Sequence, residues 1–242
     1  MRIQPADASG VLNETDVYRE FAPPPHLRDS IACLWVRRGD GGTVRVLPDA
    51  CSDIVWIAGA GALLAGPDTG PSFSRTRAGQ LIVGARFLPG AGGPALGLPL
   101  EAVRDHRIPV ADLGLDPDER LSGDLAAPDA LAAVAATATR LAEAGPPDRA
   151  VQAAALQLAD PRRRVERLAA DLGLSERQLR RRCQATVGYG PKTLQRVLRL
   201  RRFLHSDRAD LGRAAFEAGY ADQAHLTREC RRLTGLSPSG LA

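Results

Sequence analysis

The sequence predicts an α+β chain. A β-rich N-terminal domain with flanking helices comes first. An all-α domain of two helix-turn-helix units joined by a linker helix follows. Three observations predict this. Short apolar runs separated by Gly, Pro and Asp fill the first half. Apolar residues at helical spacing fill the second. Within that second half, one helix–turn–helix pattern occurs twice.

In the first half, residues 17–21, 31–38, 43–47, 53–58 and 80–87 read as strands, being apolar or alternating runs bounded by turn residues. Strands at this spacing suggest a small barrel or sandwich-like sheet. Residues 98–106 read as a short helix packed on it. The Ala-rich stretch 129–144, with Pro128 before it, reads as a longer helix. Gly145, Pro146, Pro147 and Asp148 then combine a helix stop, two prolines and an N-cap residue. The expected division is therefore 1–147 and 148–242.

The second half reads as helices throughout. Residues 149–159 form one, capped by Asp148. Val165, Leu168, Ala169 and Leu172 fall at i, i+3, i+4 and i+7, the stripe of another. Gly173 stops it. Ser175 caps the next helix, and Gln178 three residues later completes a capping-box pattern. That helix runs to about Val187. Pro191 opens a fourth, on which Leu194, Val197, Leu198 and Leu204 share a face. Residues 211–218 and 222–233 form two more.

Composition narrows the function classes. The chain has 242 residues, 44% of them hydrophobic and 25% charged, close to a soluble globular average. No uninterrupted apolar run approaches the roughly 20 residues that a membrane-spanning helix needs. No secretory pattern is visible in the first residues. Four cysteines at 33, 51, 183 and 230 are too scattered for a disulfide framework, so a reduced cytoplasmic protein is expected. Residues 1–147 hold 13 basic against 18 acidic side chains, a net −5, whereas residues 148–242 hold 19 against 10, a net +9. A mildly acidic part joined to a strongly basic one suggests a polyanion as the second part's partner.

The repeat makes the partner more definite. The first copy is 168–174 (LAADLGL) and the second is 214–220 (AAFEAGY), 46 residues later. Beyond the turn the offset becomes 47, matching Leu179 with Leu226, Cys183 with Cys230, Gly188 with Gly235 and Pro191 with Pro238. A helix, a Gly-containing turn and a second helix form the helix-turn-helix unit. A linker helix over residues 191–206 would be about 24 Å long at 1.5 Å per residue. With the width of the flanking helices added, it could hold two recognition helices about one DNA turn apart, roughly 34 Å. The expected partner is double-stranded DNA, read in two adjacent major grooves.

Residues 165–241 resemble the DNA-binding domain of the AraC/XylS family of transcription regulators. The most diagnostic stretch is 215–238 (AFEAGYADQAHLTRECRRLTGLSP). In the second unit Tyr220, Leu226, Arg228, Cys230, Gly235 and Pro238 occupy the family's patterned places. In the first, Ser175, Leu179, Arg181, Cys183, Gly188 and Pro191 do so. Both Cys stand where the family usually has Phe, which suggests slightly smaller cores. The chain runs four residues past Pro238, which leaves little for a further helix. Residues 45–56 and 83–90 are similar to front domains of some uncharacterised members. The resemblance implies a front domain, 1–147, that senses a small-molecule effector, dimerises, or both. An activator would also contact RNA polymerase.

Side chains near the start of a recognition helix reach base edges. In the first unit Arg177, Gln178, Arg180 and Arg181 lie off the core face. In the second Gln223, His225, Thr227 and Arg228 do. Arg is the usual bidentate reader of guanine and Gln of adenine, so Arg177, Arg180 and Gln223 suit bases. Arg181 and Arg228 suit guanine or phosphate. Arg162, Arg163 and Arg164 suit the backbone or plain solvent.

Other chemistry finds less support. Cys183 and Cys230 read as core. Cys33 and Cys51 read as packing, with a redox or metal sensor as the alternative. No C-x-x-C or H-x-x-x-H pair supports a metal site, and His26, His106 and His205 stand alone. Trp35 and Trp56 read as core or, alternatively, as pocket lining. Asp49, Asp53 and Arg86 are polar groups near the same strands and read equally as pocket groups or as turn caps and surface pairs. No G-x-S-x-G elbow is present, 59–61 lacks the third glycine of a dinucleotide fingerprint, and 190–193 is no phosphate loop. No cofactor, metal or catalytic residue is expected. The alternative from another class is a DNA-tethered sensor enzyme with its activity in the front domain.

Overall fold

The structure, a computed structural model, describes residues 18–241. Val17, the first residue of the earliest expected strand, lies outside them, as do the N-terminal residues read for a secretory pattern.

The front part is built on a six-stranded antiparallel sheet. Its strands are β1 (Tyr18–Phe21), β2 (Ile31–Arg38), β4 (Ser52–Ile57), β5 (Gly61–Ala65), β7 (Leu81–Phe87) and β8 (Arg107–Pro109). Their order is β1-β2-β7-β4-β5-β8. β3 (Thr43–Val46) and β6 (Ser72–Arg75) pair separately as a short ribbon. The β2–β7 register shifts between Ile31 and Cys33. A bulge adds one residue to a strand and changes the alternation beyond it. Ile31 and Leu34, three apart, therefore both join the main front core.

That core lies under α2 (Ala127–Ala144). Ala130, Ala133, Val134, Thr137 and Ala138 follow the i, i+3, i+4, i+7, i+8 stripe and are all buried. Small side chains along the stripe let the helix approach the sheet closely. Trp56 is buried in this core and donates its indole N–H to the Leu121 carbonyl at 2.7 Å.

The expected helix over 98–106 is instead a single 3₁₀ turn, Leu100–Val103. Arg104 is extended and Asp105 is left-handed at φ +61°. The Asp105 N–H is drawn to the Pro67 carbonyl at 3.1 Å, and its carboxylate accepts from the Thr69 N–H at 2.6 Å. These cross-links turn the chain out of a helix. A short helix does occur just upstream, α1 (Gly92–Leu96).

The back part has its own core, formed by α3 (Arg149–Leu158), α4 (Val165–Asp171), α5 (Glu176–Val187), α6 (Pro191–Leu204), α7 (Leu211–Glu217) and α8 (Gln223–Thr234). A last 3₁₀ turn covers Pro238–Leu241. On α6 the fully buried stripe is Leu194, Val197, Leu200 and Phe203, while Leu198 and Leu204 are half-buried at its edge. The buried face of α6 thus differs from the expected one, because α6 packs against α3, α8 and both units at once.

The front part is fastened to the ends of both units. On the left-handed turn after β3, Ala50 (φ +70°) places its methyl in the back core. The preceding carbonyl, of Asp49, accepts from Arg201 of α6 at 3.2 Å. Arg104 donates to the Gly188 carbonyl just past α5 at 3.1 Å, and Arg45 donates to the Thr234 carbonyl at the end of α8 at 2.5 Å. Gly93 is required where α1 meets α5, since a Cβ there would lie 2.4 Å from the Ala185 carbonyl oxygen.

Candidate nucleic-acid interface

Each unit follows from a few local signals. In the first, α4 ends at Asp171, Leu172 is its C-cap, and Gly173 takes φ +66°, a conformation that other residues adopt at a cost. Ser175 accepts from the Gln178 N–H at 3.2 Å, while the Gln178 side-chain oxygen accepts from the Ser175 N–H at 2.8 Å. This reciprocal box fixes where α5 begins. In the second unit Gly219 takes φ +87°, and Asp222 caps α8 by accepting from the His225 N–H at 2.6 Å. Leu179, Cys183 and Val187 on α5, and Leu226, Cys230 and Leu233 on α8, point into the core. The repeat in the sequence is therefore a repeat in the structure.

The recognition helices have polar outward faces. Their C-terminal ends are held by the front part, through Gly188 and Thr234. Their N-terminal halves are open. Arg177, Gln178, Arg180 and Arg181 are exposed on α5, and Gln223 and Arg228 on α8. His225 and Thr227 are half-buried. Arg177, Arg180, Arg181 and Arg228 make no ion pair among the described residues, leaving four guanidinium groups open to an outside anion. Gln223, Thr227 and Arg228 line one shallow groove on α8.

Three of the eight expected contact residues already have local partners. Gln178 is tied into its capping box. His225 accepts the Ala221 N–H on Nδ1 at 3.3 Å and stands edge-on to Tyr220 at 5.4 Å. Thr227 donates its hydroxyl to the Gln223 carbonyl one turn back at 2.8 Å. Arg231, which lines the same groove as Arg228, was not among the expected residues. Its place one turn beyond Thr227 and Arg228 is the periodic signal that would have found it. Arg182 of α5 points elsewhere, clasping Asp148 with two bonds of 2.7 and 2.9 Å.

The front part carries a second polar constellation. On the sheet face away from α2, Arg86 lies 3.3 Å from each of Glu20, Asp49 and Asp53. Trp35 donates its indole N–H to Asp53 at 2.7 Å. Its ring lies across β7 at Gly84, where a Cβ would fall 2.3 Å from the indole carbons. Asp49, Asp53 and Arg86 are therefore a mostly buried cluster and not surface pairs, one of the two readings from sequence. Cross-strand register is the reason: Asp53 and Cys33 both pair with Arg86 across the sheet. Burial pushes the Asp53 carboxyl up to about 6, against the pull of Arg86 and with Asp49 adding to the rise. Burial opposes the charge on Arg86, but Asp53 and Asp49 outweigh it and hold the guanidinium protonated.

All four cysteines are free and buried. Burial pushes the Cys33 thiol up to about 12 and the Cys51 thiol well above its ordinary value. A neutral buried thiol is a poor nucleophile and metal ligand. Among the described residues, no three His, Cys, Asp or Glu side chains are placed to hold a metal ion. No helix among them is long and apolar enough to cross a membrane.

Two helix pairs of one pattern on a shared helix define a tandem helix-turn-helix protein. Residues 168–242 match the helix-turn-helix domain family, and residues 19–109 match a domain of unknown function, DUF6597. The C-terminal part is thus a helix-turn-helix domain. No curated protein matches the chain. Among solved structures, the chain is similar to ToxT from Vibrio cholerae O395, at 10% identity over 85% of this chain and 94% of that one, with a TM-score of 0.46. It is also similar to another structure of ToxT from Vibrio cholerae, in a P21 crystal form, at 10% identity over 87% and 97%, with a TM-score of 0.46. A third is an apo ToxT variant from Vibrio cholerae strain SCE256, at 12% identity over 86% and 96%, with a TM-score of 0.44.

Proposed function

We propose that the chain is a sequence-specific DNA-binding transcription regulator of the AraC/XylS type. Residues 148–242 bind DNA and residues 1–147 regulate that binding. The observation that carries the reading is the pair of recognition helices with open N-terminal halves, three exposed Arg on α5 and Gln223 with Arg228 on α8, set on the single helix α6. The 14 residues of α6 span about 21 Å at 1.5 Å per residue. With the helices at either end added, the spacing suits two successive major grooves on one face of a duplex. Arg177, Arg180 and Gln223 read bases, and Arg181 and Arg228 take guanine or phosphate. Gln178, His225 and Thr227 contribute what their local bonds leave free.

On this reading the front part takes a small-molecule effector, pairs with a second copy, or both, and an activator also touches RNA polymerase. The Asp49–Ala50 turn supports a regulatory link. It joins the Arg86 cluster, through the Asp49 carboxylate, to Arg201 on the linker helix, through the Asp49 carbonyl. The test is fluorescence anisotropy of the full chain on the duplex upstream of its own gene and on random duplex, at two salt concentrations. Selective binding that weakens steeply with salt is the expected result. Equal binding to both duplexes at both salts would overturn sequence-specific recognition.

A further inference from the structure

Between the two units lies a cleft beside the second recognition helix. Its floor is α6, which presents Lys192, Arg196 and Arg199. One wall is the approach to α4, with Arg162, Arg163 and Arg164. The other is α8, with His225 from its first turn and Glu229. Only two acids face these six cations, Glu166 and Glu229. Glu229 is consumed by Arg196, at 2.6 and 3.0 Å. Glu166 meets Lys192 at 3.6 Å, and both side chains are more than 60% exposed, so that pair is weak. Arg163 is held by Asp171, and Arg199 donates to the Pro161 carbonyl at 3.2 Å. Arg162 and Arg164 are exposed and make no ion pair among the described residues.

We propose that this cleft seats the phosphate backbone of the duplex where it passes between the two units. The proposal rests on the DNA-binding reading above and adds a surface to it. A concave surface with an excess of one charge concentrates the opposite charge. A duplex lying against both recognition helices must carry its backbone across the gap between successive major grooves, which is where the cleft lies. The open cations there are two guanidiniums and one ammonium, and the one ring among the lining residues, that of His225, is engaged by the Ala221 N–H and stands edge-on to Tyr220. Such groups hold phosphate without reading sequence. Arg196 and Arg199, being tied down, shape the floor; Arg162, Arg164 and Lys192 make the contact.

The experiment neutralises those three exposed residues together, as Arg162→Gln, Arg164→Gln and Lys192→Gln in the full chain. A charge-matched control carries Arg28→Gln, Arg75→Gln and Arg77→Gln on the front part, all exposed. Binding to a selected duplex and to random duplex is titrated from 0.05 to 0.3 M salt, with circular dichroism melts of all three proteins. The cleft variant is expected to bind both duplexes roughly tenfold more weakly, by the same factor, and its slope of log affinity on log salt should shrink by about 2–3. The control should keep the wild-type slope. Wild-type slope and affinity in the cleft variant would overturn the proposal, as would a loss confined to one duplex or an equal loss in the control. Wild-type protein that binds no duplex at all would overturn the DNA-binding reading itself.

Discussion

Arg196 of the linker helix and Glu229 of the second recognition helix form a two-pronged ion pair, Nε to Oε2 at 2.6 Å and Nη2 to Oε1 at 3.0 Å. Their side chains are 26% and 16% exposed, so solvent screens the pair only partly. Two parallel bonds fix direction as well as distance. The pair sets the angle of α8 on α6, and with it the aim of the second unit.

Removing one partner leaves the other charge half-buried. Arg196→Met or Glu229→Gln should each destabilise the chain by about 1–3 kcal/mol. The double variant should lose less than the sum of the two. Urea unfolding of the four proteins in a cycle measures this, and additive losses would show that the two residues are not coupled.

Gly84 exists to leave room for an indole. Gly84→Ala would set a methyl 2.3 Å from the Trp35 ring, which must then swing away and drop its bond to Asp53. A loss of about 1–3 kcal/mol is expected, as for other overpacked cores. Tryptophan emission should shift to the red as Trp35 leaves its site. An unshifted spectrum with unchanged stability would contradict this placement of the ring.

The Arg86 cluster predicts a pH dependence. Asp53 titrates near 6 in the folded chain because it is buried, against an ordinary value of 3.8. Between those values the folded chain holds a proton that the unfolded chain has lost. Stability from this site is therefore largest below about pH 4 and declines as pH rises through 6. Relative to Asp53→Asn, the wild-type melting temperature should rise as pH falls from 7 to 5. Parallel curves would show that Asp53 does not titrate in that window.

Much of this was legible in the sequence, unevenly. The back part announces itself because its signals are local. The Ser175–Gln178 box, the turn glycines Gly173 and Gly219, and the Asp148 cap each act within a few residues, and all are found in place. The front part depends on pairing between distant segments. β5 is Gly-Ala-Leu-Leu-Ala, with no β-branched residue, and is a strand because β4 and β8 bond to it on either side. The buried setting of Arg86 was equally hidden, since only cross-strand register brings Cys33 and Asp53 beside it. On the candidate interface, sequence spacing identifies which residues leave the core face. It does not show that Thr227 and His225 are engaged locally, or that Arg196 and Glu229 neutralise each other.

Arg180 separates base reading from phosphate holding. Arg180→Ala should relax discrimination at one base pair by about 1–3 kcal/mol while leaving random-duplex binding nearly unchanged. Competition titrations with single-base-pair variants of a selected duplex would show it. Equal weakening on every duplex would mark Arg180 as a backbone contact.

The central claim is that both units read one duplex together. A methylation-interference footprint of the full chain on a selected duplex tests it most directly. Two patches of major-groove interference on the same face, about 10 base pairs apart centre to centre, are expected. A single patch, or interference spread evenly along the duplex, would contradict the account.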